Sequence, residues 1–216
     1  MTPDIVDAIN MIYDGRVPKN WCYDPTGVEI SWLTPSLMSW ISGLINRHYQ
    51  LTNWVFKERP MSYWLTGFFN PQGFLTAVKQ EITRQKVAEN WSLDKVDYEF
   101  KPTKEIVATE DGRIEGKTLP ALATGVYIHG MVLEGAGWDK GKYALDESKP
   151  KKLFEPFPIL LVNAQSTEQP SGPGNKPKQE DKNKDKNYYD CPVYRYPKRN
   201  DRYLIIRIPL SCGDGT

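Results

Sequence analysis

Apolar residues in the first 90 positions of the chain recur at the three- and four-residue spacing of helices. Ile5, Ile9 and Ile12 fall on one face, which predicts a short helix over residues 2–13. A longer helix is predicted from position 34 down to Pro60, where proline ends the pattern. Its apolar stripe consists of Leu37, Ile41, Leu44, His48, Leu51 and Val55.

The stretch from Tyr63 to Gln80, YWLTGFFNPQGFLTAVKQ, links this helical pattern to a further helix. Asn70 is a favourable N-cap and Pro71 suits the first helical turn, so we predict a third helix over residues 71–88. Before it lies a dense aromatic cluster with no nucleophile, acid/base pair or metal ligand, which indicates a structural role. The cluster contains Tyr63, Trp64, Phe68 and Phe69.

After Ser92 the apolar residues alternate with polar ones, which is the period of strands. Short strands between Gly/Pro loops, without helices between them, favour a small antiparallel barrel or sandwich. We therefore predict an α+β fold, with a helical subdomain over residues 1–92 and a small antiparallel β-barrel over 93–216. The candidate strands are 96–100, 105–108, 125–133, 157–162, 193–196 and 203–208.

Residues 164–187, AQSTEQPSGPGNKPKQEDKNKDKN, carry no large apolar side chain. Such a segment cannot bury enough surface to offset its ordering entropy, so we predict a disordered polar loop between two strands. The alternative is a contact arm for an acidic partner such as a tubulin tail. Its mixed charges favour the solvated loop.

Composition narrows the possible partners and compartments. Lys and Arg number 28 against 27 Asp and Glu, so no overall charge selects nucleic acid or an acidic membrane. Cys22, Cys191 and Cys212 form no CxxC pair, which favours reduced thiols in the cytosol. No apolar run reaches membrane-span length and no secretory signal opens the sequence. We expect a soluble intracellular protein.

One sequence resembles a phosphate-binding loop. Residues 111–118 read DGRIEGKT, but the glycine required five positions before Gly116 is replaced by Asp111, a carboxylate where phosphate should bind. Pro120 also disrupts the helix that should follow. The segment is interpreted as a β-turn loop, and no nucleotide or other cofactor is expected.

Other candidate chemistry is equally weak. His48 continues an apolar helical stripe, which favours a packed core or interface histidine, and His129 lies in a strand without ligands at metal spacing. Glu134 and Asp139 could in principle act as a glycosidase pair, but a glycine-rich turn anchored by Trp138 explains the segment without catalysis. No catalytic, cofactor-binding or metal-binding residue is predicted.

Long strings along the whole sequence resemble the C-terminal domain of dynein heavy chains, the region after the last AAA+ module of the motor ring. They include GRVPKNW at 15–21, YWLTGFFNPQGFLTAVKQEITR at 63–84, GVYIHGMVLEGAGWD at 125–139 and YDCPVYRYPKR at 189–199. NPQGFLTAVKQE and LEGAGWD resemble axonemal heavy chains more than cytoplasmic ones, and within that group outer-arm chains of the gamma type. The family closes with a further strand, whereas this sequence ends at SCGDGT, so we expect a shortened piece or an unpaired edge.

The resemblance implies a non-catalytic regulatory and structural domain that lies across one face of the AAA+ ring. Its implied partners are the ring modules of the same heavy chain, and indirectly dynein subunits and microtubules, with no nucleic acid and no membrane. The implied location is the cytoplasm, cytoskeleton and ciliary axoneme. An alternative is a β-barrel module that recruits an axonemal or tubulin partner through residues 164–187. The candidate core or ring-packing residues are Trp40, Leu44, Tyr63, Trp64, Phe68, Phe69, Phe74 and Trp138.

Overall fold

The computed structural model describes residues 2–57, 59–60, 62–103, 122–167 and 188–211. Four α-helices are present in these ranges: α1 (Pro3–Tyr13), α2 (Lys19–Cys22), α3 (Leu37–Phe56) and α4 (Pro71–Gln85). The ten strands are β1 (Tyr63–Trp64), β2 (Val96–Pro102), β3 (Gly125–His129), β4 (Val132–Glu134), β5 (Gly137–Asp139), β6 (Ala144–Asp146), β7 (Phe154–Pro156), β8 (Leu160–Ser166), β9 (Tyr188–Tyr194) and β10 (Leu204–Ser211).

The three predicted helices form close to their predicted positions. The Ser36 hydroxyl caps α3 by accepting from the Ser39 N–H, and the Asn70 amide oxygen caps α4 by accepting from the Gly73 N–H. α4 ends at Gln85 and is followed by a 3₁₀ turn at Val87–Glu89. Among the described residues, no helix is both long and apolar enough to cross a bilayer.

The strands build two four-stranded sheets and one separate hairpin. The first sheet has the order β1-β3-β8-β2, in which β1 runs parallel to β3 and the other neighbours are antiparallel. The second sheet has the order β10-β9-β4-β7 and is antiparallel throughout. β5 and β6 form the hairpin. The α+β class is confirmed.

The expected closed antiparallel barrel is not found among the described strands. The predicted continuous strand over 125–133 is wrong, because it breaks at Gly130 into β3 and β4, which belong to different sheets. Both sheets are open as far as their described strands extend, and the parallel β1–β3 pair makes the first one mixed.

Other predicted strands differ from the observed strands in where they begin and end. Residues 157–159 precede β8 as irregular backbone, and residues 164–166 form the end of that strand. β9 ends at Tyr194, and β10 starts after a 3₁₀ turn at Asp201–Tyr203. The strand candidate 105–108, the DGRIEGKT segment and residues 168–187 lie outside the described residues.

Residue contacts group the protein into two compact units. The helical unit comprises the described part of 1–60 together with 67–69, and contains α1, α2 and α3. The sheet unit comprises the described part of 61–66 and 70–216, and contains α4 and all ten strands. The change from helix to strand falls between Glu89 and Val96. The division into subdomains at residue 92 stays a prediction.

The sheet unit contains nearly all of the fully buried apolar side chains. They come from both sheets and from the segment before α4, and include Leu65, Ile128, Met131, Leu133, Ile159, Leu160, Val162, Val193 and Ile208. Burial of such side chains stabilises a fold by about 1.5–3 kcal/mol each. In the helical unit, by contrast, the buried apolar side chains among those described are Pro18, Cys22 and Trp32.

Candidate interaction surfaces

The aromatic segment before α4 divides between the two units. Tyr63 is buried in the sheet unit, where its ring lies 4.9 Å from that of half-buried Phe74. Phe68 meets Trp54 edge-on at 6.0 Å in the helical unit, and Phe69 is 61% exposed. Of these predicted residues, Tyr63 and Phe74 therefore pack in the sheet unit and Phe68 packs in the helical unit. Phe69 is mostly exposed to solvent.

Trp64 and Gly130 approach closely inside the sheet unit. β1 places Trp64 beside His129 in the parallel ladder, and the Thr66 hydroxyl donates to the Gly130 carbonyl at 2.9 Å. A Cβ on Gly130 would lie 2.3 Å from Trp64 Cδ1, which is closer than atoms can pack. The glycine therefore lets the indole lie against the turn between β3 and β4.

A stack of aromatic rings organises the helical unit. Trp32 is 3% exposed and lies nearly parallel to Trp40, with ring centroids 4.8 Å apart and planes 14° apart. Trp21 lies 5.0 Å from Trp40 on the other end of the stack, and Phe69 lies 6.2 Å from Trp32. Such aromatic arrangements are favourable beyond the area they bury. Trp40, a predicted core candidate, is thus central to this stack.

Arg47 completes the stack and was not foreseen from the sequence. Its guanidinium carbon lies 3.8 Å above the Trp32 ring, its side chain is buried, and its Nη1 donates to the Gly43 carbonyl at 2.9 Å. A cation over a desolvated indole stabilises by roughly 2 kcal/mol. A Cβ on Gly43 would lie 2.8 Å from Arg47 Nη1, so the arginine needs a glycine at this position. The spacing of four residues between Gly43 and Arg47 in α3 was the feature of the sequence that could have indicated this contact.

The apolar residues of α1 and α3 are largely exposed. α1 buries none of its residues, and five of its six large apolar side chains are 41% to 91% exposed, Met11 being half-buried. α3 buries only Arg47 among its twenty residues. We call the following residues the exposed apolar set: Ile5, Val6, Ile9, Ile12, Tyr13, Met38, Ile41, Leu44, Ile45, Tyr49, Leu51, Val55 and Phe56.

The exposed apolar set covers more of α3 than the sequence stripe predicted. Met38 and Ile45 are seven residues apart, and Ile45 and Phe56 are eleven apart, so these three side chains lie on one side of the helix. They form a second apolar stripe beside the predicted stripe that contains Leu44. His48 is exposed, with Nε2 3.5 Å from the Thr52 hydroxyl. An apolar arc this wide is typical of a helix covered on more than one side.

The two carboxylates considered for catalysis act in separate local structures. Glu134 ends β4 and lies 3.4 Å from Arg199. Asp139 accepts hydrogen bonds from the backbone N–H groups of Lys142 and Gly141, which hold the pKa of its carboxyl below the usual value. Trp138 lies on β5 with its ring 5.4 Å from that of Phe157, in an edge-on arrangement, so the segment forms a structural hairpin.

His129 is buried at the end of β3. Its Nδ1 lies 2.7 Å from the Ser62 hydroxyl, its Nε2 finds no hydrogen-bond partner among the described residues, and burial lowers its pKa to about 4. It therefore stays neutral near pH 7. Cys22 and Cys191 are buried, and the described ranges contain no cluster of His, Cys, Asp or Glu able to hold a metal ion.

Comparison with known proteins identifies the family. The family model for the C-terminal domain of the dynein heavy chain matches residues 1–214. The protein is similar to mouse dynein axonemal heavy chain 5, with 36% identity over 99% of this chain and 4% of that protein. It is also similar to two Chlamydomonas reinhardtii flagellar outer-arm dynein chains. Identity to the gamma chain is 38% over 74% of this chain and 3% of that protein, and identity to the beta chain is 40% over 90% of this chain and 4% of that protein.

The matched region thus spans about 4% of the length of mouse axonemal heavy chain 5, and both gamma and beta flagellar chains are among the relatives. The recognition made from the quoted strings is confirmed, and this chain belongs to the family of C-terminal domains of dynein heavy chains, with axonemal and flagellar heavy chains as its relatives.

Proposed function

We propose that this chain is a non-catalytic domain of an axonemal heavy chain that packs on the AAA+ ring modules of the same polypeptide. In this role it modulates ATP-driven, minus-end-directed movement along microtubules in cilia. The exposed apolar set of α1 and α3 is the observation that carries the proposal. Monomeric domains rarely leave so many large apolar side chains in water, and such surfaces mark interaction sites.

The rest of the heavy chain is the proposed partner of this surface. The relatives are far longer than the matched region, so their remaining modules are tethered to it. A tethered partner acts at a high effective concentration, and binding needs no separate recruitment step. Each Ile, Leu or Met that becomes buried contributes roughly 1.5–3 kcal/mol to the packing, before ordering costs.

We expect an effect on the motor because the apolar contacts of this domain differ between the states of the ring. A domain that lies against two modules stabilises the ring state in which its apolar contacts are most complete. Loss of those contacts changes the balance of ring states and therefore the velocity and ATP turnover. The ring sites of ATP hydrolysis and the microtubule-binding stalk belong to other parts of the heavy chain in this proposal.

The test is a motor that carries Met38→Gln and Ile45→Gln in this domain. Both side chains are exposed on α3 and glutamine is a good helix former, so the free energy of unfolding of the domain should change by less than about 0.5 kcal/mol. We expect altered gliding velocity or microtubule-stimulated ATPase.

The matched control replaces two exposed apolar residues of the sheet unit, Val87→Gln and Leu153→Gln. It should leave the motor unchanged. The proposal is wrong if the α3 variant moves and hydrolyses ATP like the parent. A separate pelleting experiment with the isolated 216-residue protein and microtubules tests the recruiting alternative, which predicts direct binding.

A further inference from the structure

The connection between β9 and β10 carries a local concentration of positive charge. Residues 195–202, RYPKRNDR, which we call the basic loop, contain four cationic side chains and the single carboxylate of Asp201. The whole protein is nearly neutral, with a net charge of +1. The basic loop is therefore a distinct feature of the surface, and packing of the exposed apolar set does not require it.

Hydrogen bonds hold the basic loop in one conformation. The Arg195 N–H donates to the Tyr203 carbonyl at 2.8 Å, and the Lys198 N–H donates to the Tyr196 carbonyl at 2.7 Å. The Asn200 side chain accepts from the Arg202 N–H at 2.9 Å. A loop ordered before binding loses little conformational entropy when a ligand arrives.

An aromatic pair supports the base of the loop. The rings of Tyr196 and Tyr203 meet edge-on at 5.1 Å, and the Arg195 guanidinium lies 5.2 Å over the Tyr196 ring. These contacts fix Arg195 against the protein. The three remaining cations, Lys198, Arg199 and Arg202, are exposed at the tip.

The exposed cations retain most of their capacity to bind an anion. Arg199 makes a long 3.4 Å contact with Glu134, while its own side chain is 83% exposed. The Glu134 side chain is 18% exposed, whereas the Arg199 side chain stays in solvent, so a second carboxylate can still bind to Arg199. The planar guanidinium groups can also bind a carboxylate through two parallel hydrogen bonds.

We propose that the basic loop is a docking surface for a short acidic polypeptide segment of a partner protein. Separate carboxylates on a flexible peptide can reach Lys198 and Arg202 while avoiding Glu134 and Asp201. A nucleic acid, with its continuous line of phosphates, would meet those two carboxylates and would need a longer basic track. Binding through so few exposed charges is weak and falls as salt rises.

The experiment measures fluorescence anisotropy of a labelled polyglutamate peptide titrated with the whole 216-residue protein. Binding is compared at about 0.05 M and about 0.2 M salt, and affinity should fall with salt. The test variant is Lys198→Glu with Arg202→Glu. The matched control, Lys140→Glu with Lys149→Glu, makes the same charge change at exposed lysines outside the basic loop.

The proposal requires the Kd of the test variant to rise at least about tenfold while the control stays within about twofold of the parent. Equal loss in both variants would mean that net charge alone attracts the peptide, and would overturn it. So would absence of binding at low salt. Tighter binding of single-stranded oligothymidylate or phosphatidylserine vesicles than of polyglutamate would replace the peptide with another partner class.

Discussion

Gly130 lies between β3 and β4 with a φ of +88°, a backbone conformation that residues with a side chain rarely adopt. At this residue the backbone leaves the first sheet and enters the second. The missing Cβ also leaves the space that the Trp64 indole fills. One position therefore sets both the direction of the backbone and the packing of an aromatic side chain.

Replacing Gly130 with alanine is expected to lower the free energy of unfolding by roughly 2–4 kcal/mol, because backbone strain and overpacking against Trp64 add. Denaturant unfolding followed by tryptophan fluorescence measures the change. Gly135→Ala is the control, since Gly135 also has a positive φ, of +68°, in the sheet unit, but nothing lies within 4 Å of its added Cβ. That variant should lose only about 1 kcal/mol. Similar losses in the two variants would contradict the role given to Trp64.

At the scale of elements, α4 shows how a local signal can fix a helix. Asn70 Oδ1 accepts the Gly73 N–H at 2.8 Å, and Pro71 occupies the first turn. The cap satisfies a backbone donor that would otherwise lack a partner within the helix. The start of α4 was predicted correctly from Asn70-Pro71, because the capping hydrogen bond of Asn70 and the backbone preference of Pro71 both act within the first turn of the helix.

Asn70→Ala should therefore destabilise the sheet unit by about 1 kcal/mol, through loss of the cap. Urea unfolding gives the energy, and amide hydrogen exchange in the first turn of α4 should quicken. Thr2→Ala is the comparison, because Thr2 holds the N-cap position of α1 without a side-chain hydrogen bond to that helix. If both alanine variants behave alike, the Asn70 cap carries no specific stabilisation.

Elements that depend on distant residues were less predictable. The segment 125–133 was expected to be one strand because nothing within it reveals that Trp64 and Thr66, more than sixty residues earlier, contact Gly130. The exposed apolar set was equally hard to predict, because burial also depends on residues far away in the sequence. Helical spacing correctly predicted a helix at α3, but the pattern does not state whether Leu44 is covered by this domain or by another module. Tyr63 is buried and Phe69 exposed, although both belong to one aromatic cluster.

For the molecule as a whole, the buried His129 links stability to pH. Burial lowers its pKa to about 4, whereas an unfolded histidine titrates near pH 6.5. Below about pH 6.5 the unfolded state therefore binds a proton that the folded state does not, and stability falls as pH falls until about pH 4. No stability is gained or lost through this group above that window.

Between about pH 7 and about pH 5 this linkage should remove roughly 2 kcal/mol of unfolding free energy. Most of that pH dependence should disappear in His129→Asn, measured by urea unfolding at several pH values. His48→Gln removes an exposed histidine from α3 and should keep the dependence. A parent protein whose stability is flat across this range would show that His129 is protonated without cost in the fold.

The edges of the second sheet restrict the way in which a partner can recognise the molecule. Gln72 of α4 donates through Nε2 to the Leu204 and Ile205 carbonyls, both at 3.3 Å, and the β9–β10 ladder is irregular at the same place. Farther along β10, Pro209 has no N–H to donate. The other edge strand, β7, has only three residues and ends in a proline.

An incoming strand thus finds few backbone groups to pair with on this sheet. Backbone pairing accepts many sequences, since nearly every residue carries the same amide. Recognition through exposed side chains, on the helices or on the basic loop, depends instead on the identity of each residue. Closely related heavy chains can therefore acquire different partners by single substitutions at these surfaces, without any change in the sheet beneath them.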